Sequence, residues 1–167
     1  MELLGEDIIY IQAKSFLIDS GWKVLAGQPP NGCDNLPVVE IKLASKTEKG
    51  SRGACKPDLI AFKEGLCLLV ECKPNHSEED AAKLRGVLNS VERVDLLYLE
   101  IQQRHLLERR GITASESQFK KGLRGALAHS GKVQPQNDLW IIAVKDSEGA
   151  TSIHLPIDKR RTGLNEI

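Results

Sequence analysis

The stretch from Pro57 to Lys73 reads PDLIAFKEGLCLLVECK and decides the fold. Its two apolar runs, residues 59–62 and 66–72, are separated by Lys63-Glu64-Gly65, which has the length of a hairpin connection. Neither run alternates cleanly with polar residues, so both faces of these strands are expected to be covered. The stretch therefore predicts two central strands of a sheet with helices on either side.

The spacing of the polar residues within this stretch predicts a cluster. If the hairpin turns over Glu64-Gly65, Asp58 lies directly opposite Glu71. Cross-strand partners have Cβ atoms about 4.5 to 5.5 Å apart. The two-residue period places Lys73 on the face of Glu71 and Cys72 on the other face. A three-residue turn would shift the register by one and separate the two carboxylates.

Two carboxylates at that separation repel each other unless a proton or a cation lies between them. Mg²⁺, or Mn²⁺ in its place, suits such a pair, because Mg²⁺ takes one or two protein carboxylates and keeps several waters. The candidate metal ligands are Asp58, Glu71 and the backbone carbonyl of Cys72. Lys73 is placed to orient or deprotonate a water on the ion, or to stabilise charge on a phosphate oxygen. Asp58, Glu71 and Lys73 are therefore candidate catalytic residues for phosphodiester hydrolysis.

The rest of the sequence predicts helices and strands around this hairpin. Apolar residues at helical spacing indicate a helix over 3–20, and capping patterns at Ser77 and Ser115 mark two further helix starts. Residues 91–110 favour a helix, although 96–101 taken alone also fit a strand. The remaining predicted elements are strands at 22–26, 38–43, 139–144 and 152–155, a helix at 119–128, a loop at 45–53 and a tail at 158–167.

Length and charge limit the organisation and the partners. A chain of 167 residues, 23 of them basic and 23 acidic, is expected to form one domain over 1–157 with a polar tail at 158–167. A net charge of zero provides no long-range field, so any nucleic-acid contact must be local. Lys120, Lys121 and Arg124 are candidate DNA-binding residues, and a solvated helix face is the alternative interpretation.

Cysteine usage and hydropathy favour a reduced, membrane-free compartment. The four cysteines contain no C-x-x-C pair, which indicates structural thiols rather than a disulfide framework or a zinc ribbon. Apolar runs such as 66–70 are far below the roughly 18 residues of a membrane span, and the start Met1-Glu2 is unlike the basic region of a signal peptide. The sequence therefore predicts a cytoplasmic protein without a membrane contact.

Pro57-Asp58 and Glu71-Cys72-Lys73 resemble the PD-(D/E)xK motif of the restriction-endonuclease-like nucleases, and the order of the predicted elements is similar to that family's core. The resemblance implies an α/β fold with a restriction-endonuclease-like core, in which helices flank a central mixed β-sheet, here with an extra helical region before Leu139. It also implies that Asp58 and Glu71 bind the metal ion and that Lys73 is the catalytic lysine. The alternative is a surface hairpin that carries these polar residues into solvent.

Three further residues are candidates for the same site. Many members of that family add an acidic residue from the first helix, for which Glu6 is the candidate, and Glu40 is the other. For both, an exposed carboxylate is the alternative interpretation. His76 follows the second strand and either contacts a phosphate, acts as a base or is a solvated loop residue, of which the last is favoured.

The cluster and the resemblance together predict a Mg²⁺-dependent endodeoxyribonuclease, with restriction-type cleavage preferred to Holliday-junction resolution or repair. A non-catalytic DNA-binding or regulatory module, and a subunit that works only inside a larger complex, stay open because all three share the same core. One active site per chain favours a homodimer for cutting both strands of a duplex. Its interface is expected between residues 92 and 130, where Leu96, Leu97, Leu106 and Leu107 supply more apolar surface than one sheet face needs.

Overall fold

Six strands in the described part of the chain form one mixed sheet. The computed structural model describes residues 2–32, 34–42, 54–149 and 151–158. The strands lie side by side in chain order, with β3–β4 and β4–β5 parallel and the other neighbours antiparallel. The predicted α/β class with a central mixed sheet is thus confirmed. The strands are β1 (Lys23–Gly27), β2 (Leu59–Lys63), β3 (Leu66–Cys72), β4 (Leu123–His129), β5 (Trp140–Val144) and β6 (Thr151–His154).

Four α-helices flank this sheet. Serine side chains cap three of them at the amino end, two of these at the positions that the capping patterns predicted. Within the described ranges, no helix has the length and apolar character needed to cross a membrane. The helices are α1 (Glu6–Asp19), α2 (Glu78–Leu88), α3 (Val91–Gln103) and α4 (Glu116–Lys121), and a short 3₁₀ helix spans Glu108–Arg110.

Each face of the sheet has its own hydrophobic core, as the continuous apolar runs of β2 and β3 predicted. On one face, α1 packs Ile9, Ala13 and Leu17 against alternate residues of the central strands. On the other face, α2, α3 and α4 cover the remaining residues of the same strands, with Phe119 fully buried. The central strands are therefore covered on both faces. The polar residues at one end of the β2–β3 pair lie at the margin of the two cores.

The β2–β3 turn has the predicted register. Glu64 and Gly65 both have positive φ angles, 49° and 81°, which is the geometry of a two-residue hairpin turn. The ladder pairs Lys63 with Leu66 and continues to Leu59 opposite Val70. This register is the one that sets residue 58 against residue 71.

The prediction of a helix over residues 119–128 is wrong. The capping box at Ser115 is present, but α4 ends at Lys121, and the next residues form β4 at the centre of the sheet. Gly125 shows why: a Cβ there would lie 2.9 Å from a Leu139 methyl and 3.0 Å from a Leu88 methyl. The small residues of this segment admit close packing of α2 on the sheet, and the parallel pairing with β3 overrides their local helix preference.

Two other expectations are also wrong. Residues 38–42 form no strand, and their ladder contact is a single bridge between Ile41 and Cys55. The leucines expected at a dimer interface belong to the core, since Leu97, Leu106 and Leu107 are buried and Leu96 packs against them. The predicted loop at 45–53 and most of the predicted tail lie outside the described residues.

Candidate functional site

Asp58 and Glu71 are brought together by the β2–β3 hairpin. The register pairs Leu59 with Val70, and its continuation by one residue sets Asp58 against Glu71. Asp58 Oδ2 accepts a 2.8 Å hydrogen bond from the backbone amide of Cys72, which fixes this carboxylate at the end of β3.

Burial sets the electrostatics of this pair. Glu71 is 3% exposed, and burial together with the charge of Asp58 raises the pKa of Glu71 well above its usual range. Burial also raises the pKa of Asp58, although the hydrogen bond from the Cys72 amide opposes the shift. Without a cation the pair is therefore expected to hold a proton up to a higher pH than two isolated carboxyl groups do.

Lys73 lies directly after β3 and is tied to the first helix. Its Nζ is 3.4 Å from Oε1 of Glu6, which lies in the first turn of α1. Burial lowers the pKa of Lys73, but the charges of Glu6, Asp80 and Asp58 and the hydrogen bond to Glu6 together outweigh it, so the net shift is upward. Glu6 thus reaches the site as the partner of the lysine. Cys72 packs into the core beside α1, on the face that strand alternation predicted.

Helix α2 contributes two side chains that sequence reasoning missed. Asp80 is 6% exposed, and its Oδ2 has no hydrogen-bond partner among the described residues. Lys83 Nζ lies 3.7 Å from Glu71 Oε1. A signal was available, because Asp80 shares with Leu84 and Val87 the i, i+4, i+7 stripe that this helix buries. A carboxylate on such a stripe indicates a polar site beneath the helix.

A cleft of about 490 Å³ opens beside Asp58. Lys56 and Lys83 supply positive charge to its walls, and Glu79 and Asp80 add negative charge to that of Asp58. In general, cationic side chains bind phosphates and carboxylates bind metal ions. This cleft brings both kinds of side chain together.

The oxygen donors of this site fit a hard divalent cation. Carboxylate oxygens are ligands that Mg²⁺ and Mn²⁺ prefer. Glu71 Oε1 has the Lys83 ammonium 3.7 Å away, and Asp80 Oδ2 is buried with no hydrogen-bond partner in the described chain. Such an oxygen is destabilising unless a cation or a donor reaches it. Across residues 2–32, 34–42, 54–149 and 151–158, no three His, Cys, Asp or Glu side chains converge closely enough to hold one ion. The donor set therefore suits an ion held by Asp58 and Glu71, and the role of the Cys72 carbonyl stays a prediction.

The other two candidates behave differently. Glu40 is exposed on the segment that precedes the undescribed residues 43–53. His76 is not a solvated loop residue, since its side chain is 6% exposed and its Nε2 lies 2.7 Å from Glu78 Oε1. Its ring stands edge-to-face against the buried His129, with centroids 5.9 Å apart.

The predicted DNA-binding residues lie away from this site. Because β4 runs parallel to β3, Arg124 lies near the start of β3, whereas Glu71 lies at its end. Lys120 contacts the carboxylate of Asp95, and Arg124 donates a 2.7 Å hydrogen bond to the carbonyl of Lys121. A role of these three residues in DNA binding stays a prediction.

Comparison of the chain with protein-family models, with curated proteins and with solved structures gives no match.

Proposed function

We propose that the protein is a Mg²⁺-dependent endodeoxyribonuclease of the restriction-endonuclease-like type, in which Asp58 and Glu71 bind the ion and Lys73 is the catalytic lysine. The observation that carries the proposal is the two-residue turn that sets the two carboxylates side by side at the end of a buried strand. The order of α1, β1, β2, β3 and α2 supports it too, because the resemblance to that family implies the same order.

Each side chain of the candidate site has its own role in this proposal. When bound, a divalent cation provides a nucleophilic water at neutral pH and offsets charge on the phosphate. Asp58 and Glu71 would hold it through their carboxylate oxygens, and because burial raises the pKa of both groups, binding is expected to strengthen as pH rises. Lys73 keeps its charge beside Glu6 and stabilises negative charge on phosphate oxygens.

The substrate is DNA, held by local positive charge. Lys56 and Lys83 line the cleft beside Asp58 and are the cations expected to contact DNA phosphates in this proposal. A chain with zero net charge is therefore able to bind a polyanion here, because the contact depends on nearby cations.

The test is nicking of supercoiled plasmid DNA by the full chain with Mg²⁺ or Mn²⁺, with and without EDTA. Asp58→Asn and Glu71→Gln should each lower the rate more than about 100-fold, since even the outer partners of metal ligands are worth about 10- to 100-fold. Glu40→Gln, which removes an exposed carboxylate outside the site, is the matched control and should keep the wild-type rate. DNA binding without cleavage would instead support a non-catalytic module, and cleavage that survives EDTA would contradict the proposal.

A further inference from the structure

Asp80 is a buried carboxylate that the proposed chemistry leaves unused. It is 6% exposed, and its Oδ2 lacks a hydrogen-bond partner among the residues described. Its backbone is fixed, because its amide donates a 3.1 Å hydrogen bond to the capping hydroxyl of Ser77. Burying a carboxylate oxygen without a donor or a cation is costly, so an unpaired oxygen at this position calls for a partner.

The fold places this oxygen at the candidate site. Asp80 lines the same cleft as Asp58 and Lys83. It lies three residues before Lys83 on α2, and Lys83 Nζ lies 3.7 Å from Oε1 of Glu71 near the end of β3. The carboxylates of Asp58, just before β2, and of Asp80, on α2, therefore lie in one cleft next to the helix that contacts Glu71.

We propose that Asp80 is a positioning carboxylate for the divalent cation, and that its Oδ2 accepts a hydrogen bond from a water that the cation retains. The inference rests on the proposed function. Direct ligation alongside Asp58 and Glu71 is disfavoured, because no three such side chains converge on one ion in the described part of the chain. Mg²⁺ keeps several of its waters in protein sites, and each of them is a donor that an unpaired carboxylate oxygen needs.

A purely structural role makes a different prediction. A carboxylate in the first turn of a helix favours the helix through the positive end of its dipole. Asp80 would then affect the stability of α2 and leave cation affinity unchanged. Cation affinity is therefore the readout that separates the two roles.

The experiment measures Mg²⁺ affinity by calorimetry, and Mn²⁺ affinity by electron paramagnetic resonance, on the full chain without DNA. Asp80→Asn should weaken both affinities about 10- to 100-fold. Glu78→Gln removes the same charge from an exposed residue in the first turn of the same helix, outside the lining of the cleft, and should leave affinity close to wild type. The melting temperature of cation-free Asp80→Asn should not fall, and if this variant does not fold, Asp80→Ser replaces it.

The outcomes distinguish this inference from the proposed function. Wild-type affinity in Asp80→Asn, or equal losses in Asp80→Asn and Glu78→Gln, would overturn the role of Asp80 and leave the nuclease proposal standing. A wild-type chain that binds neither Mg²⁺ nor Mn²⁺ would overturn the nuclease proposal itself. A selective loss in the Asp80 variant supports the inference.

Discussion

Lys83 Nζ lies 3.7 Å from Glu71 Oε1, so a lysine of α2 is the counterion of a carboxylate on β3. The carboxylate is 3% exposed and the lysine 40%, so the contact joins a buried charge to a cation on the wall of the cleft. The pKa of Glu71 is nevertheless raised, because burial and the charge of Asp58 outweigh this one cation. The stability of the cation-free protein is thus expected to depend on pH through the protonation of Glu71.

The first prediction is that the free energy of unfolding of cation-free protein falls as pH rises above 4.5, the ordinary pKa of glutamate. The folded state keeps on Glu71 a proton that the unfolded chain releases. Lys83→Met should lower the free energy of unfolding by about 0.5 to 1 kcal/mol at pH 9 and leave it unchanged at pH 5. Urea denaturation at the two pH values measures it, with Lys56→Met as control. Equal losses at pH 5 and 9 would mean that Lys83 acts through packing.

The second prediction concerns Glu6, which contacts Lys73 at 3.4 Å. Because Glu6 helps to raise the pKa of Lys73, Glu6→Gln should lower that pKa and move the alkaline limb of the pH–rate profile to lower pH. Mg²⁺ affinity should stay near the wild-type value. Glu2→Gln, an exposed neighbour in sequence, is the control. A loss of affinity above about tenfold would instead identify Glu6 as a metal ligand.

The third prediction locates the DNA-binding face. Lys56→Gln, in the cleft, should weaken DNA binding and flatten the slope of log affinity against log salt by about 1, because one phosphate contact is lost. Lys120→Gln should leave the slope unchanged, since Lys120 already contacts Asp95 and lies towards the opposite end of β3. Fluorescence anisotropy over a salt series measures both slopes. The reverse pattern would restore Lys120, Lys121 and Arg124 as the DNA-binding face.

The fourth prediction is an acid-induced loss of stability from His129. Burial, and to a lesser extent the charge of His76, lowers the pKa of His129 below its ordinary 6.5. The unfolded chain therefore takes up a proton that the folded state refuses, and stability falls as pH drops below 6.5. His129→Gln should flatten this acid limb in thermal melts between pH 7 and 5. His105→Gln, at an exposed histidine, should leave the limb as steep as in wild type.

The fifth prediction is a homodimer at micromolar concentration, since cutting both strands of a duplex needs two sites. The buried leucines of α3 and the following turn do not form its interface, but α3 also carries Val91 and Leu99, which are exposed. Leu99→Lys should therefore shift the light-scattering mass towards that of one chain. A strict monomer that still makes double-strand breaks would contradict the dimer, and a monomer that only nicks would favour a repair-type nuclease.

The sequence was sufficient for the parts of the site that depend on local spacing. The turn at Glu64-Gly65 fixes the register within the hairpin, so the facing of Asp58 and Glu71 follows from counting residues. The start of α2 was equally predictable, because the cap at Ser77 acts within one turn.

The rest depends on contacts between distant segments. The run from Leu123 to His129 has a local preference for helix, and its parallel pairing with β3 on one side and β5 on the other makes it a strand. Asp80 and Lys83 reach the site because α2 packs back over β3 and β4, an arrangement that periodicity does not contain. Lys120 was a candidate for DNA binding because the sequence does not show its contact with Asp95, which joins α4 to α3.

The pairing of β3 with β4 also bears on how the protein folds. The hairpin that carries both carboxylates closes between neighbours in sequence, whereas the register that joins Cys67 to Leu123 encloses α2, α3 and α4 in a long loop. Local pairings form quickly and distant ones late, so the hairpin is expected to exist before the strand that buries its second edge arrives. During synthesis that apolar edge stays open until β4 has left the ribosome, which makes the strand bearing Glu71 the segment most exposed to misassembly.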